Sequence, residues 1–210
     1  MPIRLVVFDV DGTLTSHSSI WWRLHEEFGK VEEGRVFYNQ YFSGEISYQE
    51  WADYDAALWK GRTLDEVMQV VQKTQLRPGA KETISALKKQ GVKVAILSSG
   101  LDVLANEIGQ RLGIDCIATN RLCHVNGILT GEVEIRVGWH EKAQELENIC
   151  NHFEIPLSDT AFIGDGRNDI SALKIAGLSI AYKPRYDDVS EAATVTIFGD
   201  DLQMILSHIL

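Results

Sequence analysis

Ile3-Arg4-Leu5-Val6-Val7-Phe8 runs directly into Asp9-Val10-Asp11-Gly12-Thr13-Leu14-Thr15, and that junction decides the fold. The first half is short, rich in β-branched residues and not alternating, the pattern of a strand buried on both faces. It ends in two carboxylates two residues apart, in a loop containing a glycine. Taken alone, such acids can be simple turn formers. At the end of a buried strand, however, they are costly unless a cation accompanies them.

Runs of the same kind recur at 92–97, 116–118, 161–163 and 178–181. Helical periodicity lies between them, as at 79–90, entered after Pro78 and closed by Gly91, and at 171–176, closed by Gly177. Strand alternating with helix predicts an α/β fold built on a doubly wound parallel sheet. One hairpin interrupts it, with Asn126-Gly127 as the turn between 121–125 and 128–135. Residues 16–75 break the rhythm: they hold no strand-like run and read as amphipathic helices carrying Trp21, Trp22, Trp51 and Trp59. The pattern predicts a small helical cap at 16–75, inserted into a core made of 1–15 and 76–210.

With 210 residues, 45% of them hydrophobic, the chain can bury one full core and still supply a small accessory domain. A formal net charge of −10 repels nucleic acid and anionic lipid, so the expected partner is a small molecule. Cys116, Cys123 and Cys150 are odd in number and form no CxxC pair, which indicates neither a disulfide framework nor a zinc site. The first apolar run is too short for a signal peptide or a membrane span, and a cytoplasmic location is expected.

A second acidic cluster, Gly164-Asp165-Gly166-Arg167-Asn168-Asp169, also follows a buried run. In a parallel sheet all such ends share one edge. If the chain first builds one side of the opening strand and then returns to the other, Asp9, Asp11, Asp165 and Asp169 converge in the crevice where ligands bind. An all-oxygen cluster of this kind suits magnesium. Ser98-Ser99-Gly100 ends the second strand on the same edge and can cradle a phosphate. Alone, Ser98 and Ser99 read equally as helix caps, and Lys142 as a solvated lysine. In company with the acids they become donors and positive charge for a transferring phosphoryl group.

The ordered set DxDGTLT, strand-end serine, lysine and GDGxND resembles the haloacid dehalogenase superfamily, and specifically its phosphoserine phosphatase-like branch, over essentially the whole chain. The resemblance implies a Rossmann-like core with a helical cap and magnesium-dependent hydrolysis of a small phosphorylated metabolite through an aspartyl-phosphate. It implies Asp9 as nucleophile and Asp11 as acid/base. The magnesium ligands would be the Asp9 carboxylate, the Asp11 backbone carbonyl and Asp165. Ser98, Ser99 and Lys142 would take the phosphate, with Asn168 and Asp169 in support. The proximity of other acids is expected to raise the proton affinity of Asp11.

A cap of this kind excludes water and selects the substrate. The candidates there are Ser18, Trp21, Trp22, Trp51 and Asp55, although helical aromatics taken singly are expected to be core. In the resembled family a Glu nine positions after the nucleophile contacts the amino-acid head, and here that position is Ser18. A family cap Arg aligns with Asp55. A poor fit to phosphoserine is therefore expected, with Arg23 or Arg62 as possible substitutes, or else a less zwitterionic, more apolar ester resting on the tryptophans. Two rival readings are a phosphotransferase on the same scaffold and a non-catalytic magnesium- or anion-binding module.

Overall fold

The structure is a computed structural model and describes residues 2–17 and 19–210. Its centre is β1 (Leu5–Phe8), buried at every position. β1 pairs in parallel with β2 (Lys93–Leu101) on one side and with β5 (Thr160–Gly164) on the other. With β3 (Cys116–Val125), β4 (Ile128–Glu134), β6 (Leu178–Tyr182) and β7 (Val195–Ile197) they form one sheet in the order β4-β3-β2-β1-β5-β6-β7. Only the β3–β4 pair is antiparallel. The order reverses at β1, so the crevice between β1 and β5 is the switch point expected from the sequence.

The run at β1 is continuous because both faces are covered. Val6 and Phe8 enter one apolar cluster, while Leu5 and Val7 enter the other. Among the described residues, four α-helices fill the stretch between Thr15 and Gln75: α1 (Ile20–Glu27), α2 (Val31–Phe42), α3 (Tyr48–Ala57) and α4 (Leu64–Gln72). The rest flank the sheet: α5 (Ala80–Lys89) and α6 (Asp102–Leu112) on the Phe8 face, α7 (Lys142–Phe153), α8 (Ile170–Leu173) and α9 (Asp187–Glu191) on the Val7 face. A last turn, α10 (Leu206–Ile209), closes the described chain.

Two elements differ from expectation. The runs at 116–118 and 121–125 are one strand, whose first half pairs with β2 and whose second half pairs with β4. The polar stretch Thr119-Asn120-Arg121 looked like a break, but Asn120 is fully buried and replaces lost ladder bonds with its amide. Its Nδ2 donates to the Ser99 and Val137 carbonyls, and its Oδ1 accepts from the Arg136 and Val137 amides at 2.8 Å. The short β7 was not anticipated. The hairpin turn is as read, with Asn126 and Gly127 both at positive φ.

The helical segment leaves and rejoins the core at one point. Thr15 bridges Leu76, and the Ser16 amide donates to the Gln75 carbonyl. Ser47 and Thr63 start α3 and α4 with capping boxes to Glu50 and Glu66. The hairpin tip supports the segment from outside, since Thr63 bridges Ile128 and the Leu64 amide donates to the Gly127 carbonyl at 2.7 Å. Among the described residues no helix is long and apolar enough to cross a membrane.

Candidate active site

After β1 the chain makes one wide turn over Val10–Leu14, closed by the Thr15 amide on the Val10 carbonyl at 3.0 Å. Gly12 stands there at φ 95°, and a Cβ at this position would overlap the Asp165 carboxylate. Glycine is therefore required twice, by backbone angle and by the approach of β5's acidic loop. The Asp9 amide still bonds the Ile163 carbonyl at 2.9 Å, which fixes the Asp9 side chain at the switch-point edge.

Lys142 opens α7 and is fully buried, with its Nζ 2.6 Å from Asp9 Oδ1 and 2.6 Å from Asp169 Oδ1. Asp169 uses its other oxygen to accept the amides of Asp165 and Gly166 at 3.0 and 2.9 Å. Thr13 Oγ1 donates to Asp165 Oδ1 at 3.2 Å, and Arg185 Nε lies 3.0 Å from Asp165 Oδ2.

Burial pushes the Asp9 carboxyl well above its ordinary pKa. Lys142 pulls it back, while Asp169 and Asp165 add to the rise. Burial also pushes Asp165 up to about 7, aided by Asp169 and opposed by Arg185. For Lys142, burial works against the charge, but Asp169 and Asp9 outweigh it and hold the ammonium above its usual value. One buried ammonium thus serves several buried carboxylates, and Asp9, Asp165 and Asp169 bring oxygens within 4.8 Å of one another. This excess of hard oxygen donors fits a divalent cation.

Asp11 is the exception among the four acids, because its carboxyl is not part of that cluster, although like Asp9 it lines a cavity. Its Oδ1 is enclosed without a partner. Burial raises its pKa to about 6, whereas the Ile20 amide, Arg23, Lys142 and Arg185 pull the other way. The expectation that neighbouring acids raise its proton affinity is corrected here: the cause is desolvation.

Opposite the acids, β2 bulges between Ser98 and Leu101. Ser98 Oγ accepts the Gly100 amide at 3.0 Å, which leaves its own proton free for an incoming oxygen. The Ser99 carbonyl receives three donors, Asn120 Nδ2 at 3.0 Å, Trp21 Nε1 at 3.2 Å and Tyr48 Oη at 3.3 Å. Its Oγ is buried and unpartnered. Ser99 therefore ties the helical segment to the sheet edge.

A cavity of about 710 Å³ joins the two parts, with Asp9, Asp11 and Ser98 at one end and Trp22, Trp51 and Asp55 at the other. Asn168 and Trp21 also line it. The core expectation for single tryptophans holds for Trp59, which is fully buried just past α3; Trp21 packs against the same cluster and also lines the cavity, which Trp22 and Trp51 line too. Ser18 lies outside the described residues. Arg23 is occupied by the Thr74 hydroxyl and the Val70 carbonyl, and Arg62 pairs with Glu66. Neither lines the cavity. Arg35, over the Trp22 ring at 6.0 Å, does.

Sequence reasoning also missed Thr13, Asn120, Trp139 and Arg185. Thr13 was inside the quoted motif and could have been read from it. Trp139 and Arg185 stand in connections that carry no periodic signal.

Haloacid dehalogenase-like hydrolases match residues 3–177. The phosphoserine phosphatase of Methanocaldococcus jannaschii is 35% identical over 209 residues, 98% of this chain and 97% of that protein. The phosphoserine phosphatase of Wolinella succinogenes is 31% identical over 99% of this chain and 100% of its own. A solved phosphoserine phosphatase, captured as a phospho-aspartyl intermediate analogue, superposes with a TM-score of 0.87 at 34% identity, each chain covered in full. With the motif residues gathered at one switch point and this breadth of likeness, the chain belongs to the haloacid dehalogenase-like hydrolase family.

Proposed function

We propose that the chain is a magnesium-dependent phosphomonoester phosphatase acting on a small phosphorylated metabolite, with residues 16–75 as a cap over a core of 1–15 and 76–210. The observation that carries this reading is the buried Lys142, held at 2.6 Å by both Asp9 and Asp169 beside Asp165. Lys142 fixes one oxygen of Asp9, and the other oxygen is left to attack phosphorus in line. The Asp9 O–P bond forms as the ester O–P bond breaks. Asp11, desolvated enough to keep a proton, gives it to the departing alcohol oxygen. The Asp11 carboxylate then takes a proton from water as that water attacks the aspartyl-phosphate, which frees inorganic phosphate and the Asp9 carboxylate. Ser98 and Lys142 hold the phosphoryl oxygens, and Asp169 positions Lys142. Asp9, the Asp11 carbonyl and Asp165 would hold magnesium, which when bound supplies positive charge beside the phosphate and keeps Asp9 ionised.

The named relatives are phosphoserine phosphatases, which makes phosphoserine a compound to test. Their likeness does not carry over the head-group contacts, because Ser18 and Asp55 stand at the corresponding positions. A cytoplasmic location accords with three free cysteines. Phosphate release from an aryl phosphate, measured with and without magnesium, tests the reading. Activity is expected only with metal and should be lost in Asp165→Ala at metal concentrations that saturate the wild type. Full turnover after exhaustive chelation would overturn it.

A further inference from the structure

We propose that Asp55 recognises an ammonium group on the leaving alcohol, so that the substrate is a phosphate ester of an amino alcohol. This rests on the phosphatase reading above and deepens it. Asp55, on α3, is only 3% exposed. It lines the main cavity and also a side pocket of about 70 Å³ that it shares with Ser99, Trp21, Tyr48, Trp51 and Trp139. That volume holds several water-sized groups.

The charge on Asp55 is not cancelled by its neighbour. His25 Nε2 lies 3.1 Å from Asp55 Oδ1, and Trp59 Nε1 donates to His25 Nδ1 at 3.2 Å. An indole nitrogen can only donate, so Nδ1 must carry its lone pair and the imidazole proton sits on Nε2. The ring is neutral, and the His25–Asp55 pair retains one full negative charge. Asp55 Oδ1 has no well-directed hydrogen bond. Burial raises the Asp55 pKa and His25 opposes the rise, so the carboxylate is held at a cost that a cation would relieve.

Its surroundings match that cation. Trp51, stacked on Tyr41 with centroids 4.8 Å apart, and Trp139, 5.8 Å from Trp51, line the same side pocket as the carboxylate. Aromatic faces around an anion are the environment that selects ammonium and quaternary ammonium groups. Both signs of charge line the cavity. Arg167 and Arg185 stand beside the core acids, and Asp55 is the acid that α3 contributes, with Arg35 coming in from the exposed face of α2. A phosphate dianion at one end and an ammonium at the other satisfy both. A neutral alcohol would leave Asp55 buried and unmatched.

Matched esters provide the test: phosphoethanolamine against propyl phosphate, and phosphocholine against 3,3-dimethylbutyl phosphate, each pair differing in charge at nearly constant shape. The wild type should show a kcat/KM at least about tenfold higher for the charged member of at least one pair, and Asp55→Asn should collapse that ratio towards one. Equal rates for both members of each pair, or an undiminished ratio in a folded Asp55→Asn protein, overturn the inference. If that variant fails to fold, wild-type inhibition decides. Choline should compete with aryl phosphate at a concentration at least about tenfold below its neutral isostere 3,3-dimethylbutanol, and equal potency overturns the inference. No phosphate release from any ester, aryl phosphate included, would instead defeat the phosphatase reading itself.

Discussion

Lys142 and Asp55 are both buried charges, one behind Asp9 and the other on the cavity wall, yet Lys142 has two carboxylates at 2.6 Å while Asp55 has a neutral imidazole at 3.1 Å and the Trp51 indole beside it. At the sheet edge the partners are built in: Asp169 bonds Lys142 with one oxygen and two amides with the other. At the cap end, Asp55 Oδ1 and Trp51 Nε1 are enclosed without well-directed partners, as are Asp11 Oδ1 and Ser99 Oγ on the sheet edge that faces them. The first arrangement is preorganised and needs no rearrangement when phosphorus is attacked. The second leaves a demand that only a suitable alcohol meets, which is how a binding site rejects the wrong one.

The largest effect expected from breaking the core end is in Asp9→Asn. It removes the proposed nucleophile but nearly preserves shape, and kcat should fall on the order of 10⁴-fold or more with an unchanged circular dichroism spectrum. Near-normal turnover in the folded variant would remove the catalytic half of the contrast.

Stability gives the next largest difference. Lys142→Ala leaves Asp9 and Asp169 buried without their cation and should cost about 3–5 kcal/mol in denaturant unfolding. Asp55→Asn removes a charge that was never fully paired and should cost less than about 1 kcal/mol, or stabilise. Equal losses in the two variants would erase the contrast between them.

The carboxyl of Asp11 lies between the two regimes, and pH can resolve it. Its pKa is about 6 in the folded chain against an ordinary 3.8, so the folded state binds the extra proton. The resulting stability is fully present below about 3.8 and is lost as pH rises through about 6, on the order of 3 kcal/mol at most. Unfolding free energies measured from pH 4 to 7 at fixed magnesium should decline more in the wild type than in Asp11→Asn. Parallel curves would show that Asp11 is not desolvated. Smallest is Trp21→Phe, which removes one of three donors to the Ser99 carbonyl and should lower kcat/KM about 2- to 10-fold with little change in fold.

The contrast also explains what the sequence made legible. Asp9, Asp11, Asp165 and Asp169 each follow a buried strand, so topology alone carries them to one edge. Lys142 was readable only in their company, since nothing in its own helix distinguishes a buried lysine from a solvated one. The cap end is set by packing between helices. The pairing of His25 on α1 with Asp55 on α3 depends on a crossing that neither helix's periodicity encodes, and on Gly34, whose missing side chain lets α2 lie against the His25 ring. Asp55 was singled out as a selectivity candidate, but alignment could present it only as an absent arginine. Asn120 was unreadable for a different reason: a polar residue that replaces ladder bonds looks, in sequence, like the end of a strand.

The bridge between Thr15 and Leu76 gives segment 16–75 a narrow neck. Because the two ends already meet, the entropy of closing this excursion depends only weakly on its length, and the sheet meets what lies beyond the neck through the hairpin tip, the Ser99 carbonyl and the apolar cluster that Ile20, Leu24 and Val70 share with Phe8. For an engineer the segment is a cassette. A helical unit from another chain, joined at the same two residues and given a donor for Ser99, a seat for the hairpin and apolar side chains to complete the shared core, inherits the machinery below it. Evolution has the same freedom, and new substrates can be reached by rewriting the excursion while the strands beneath it stay as they are.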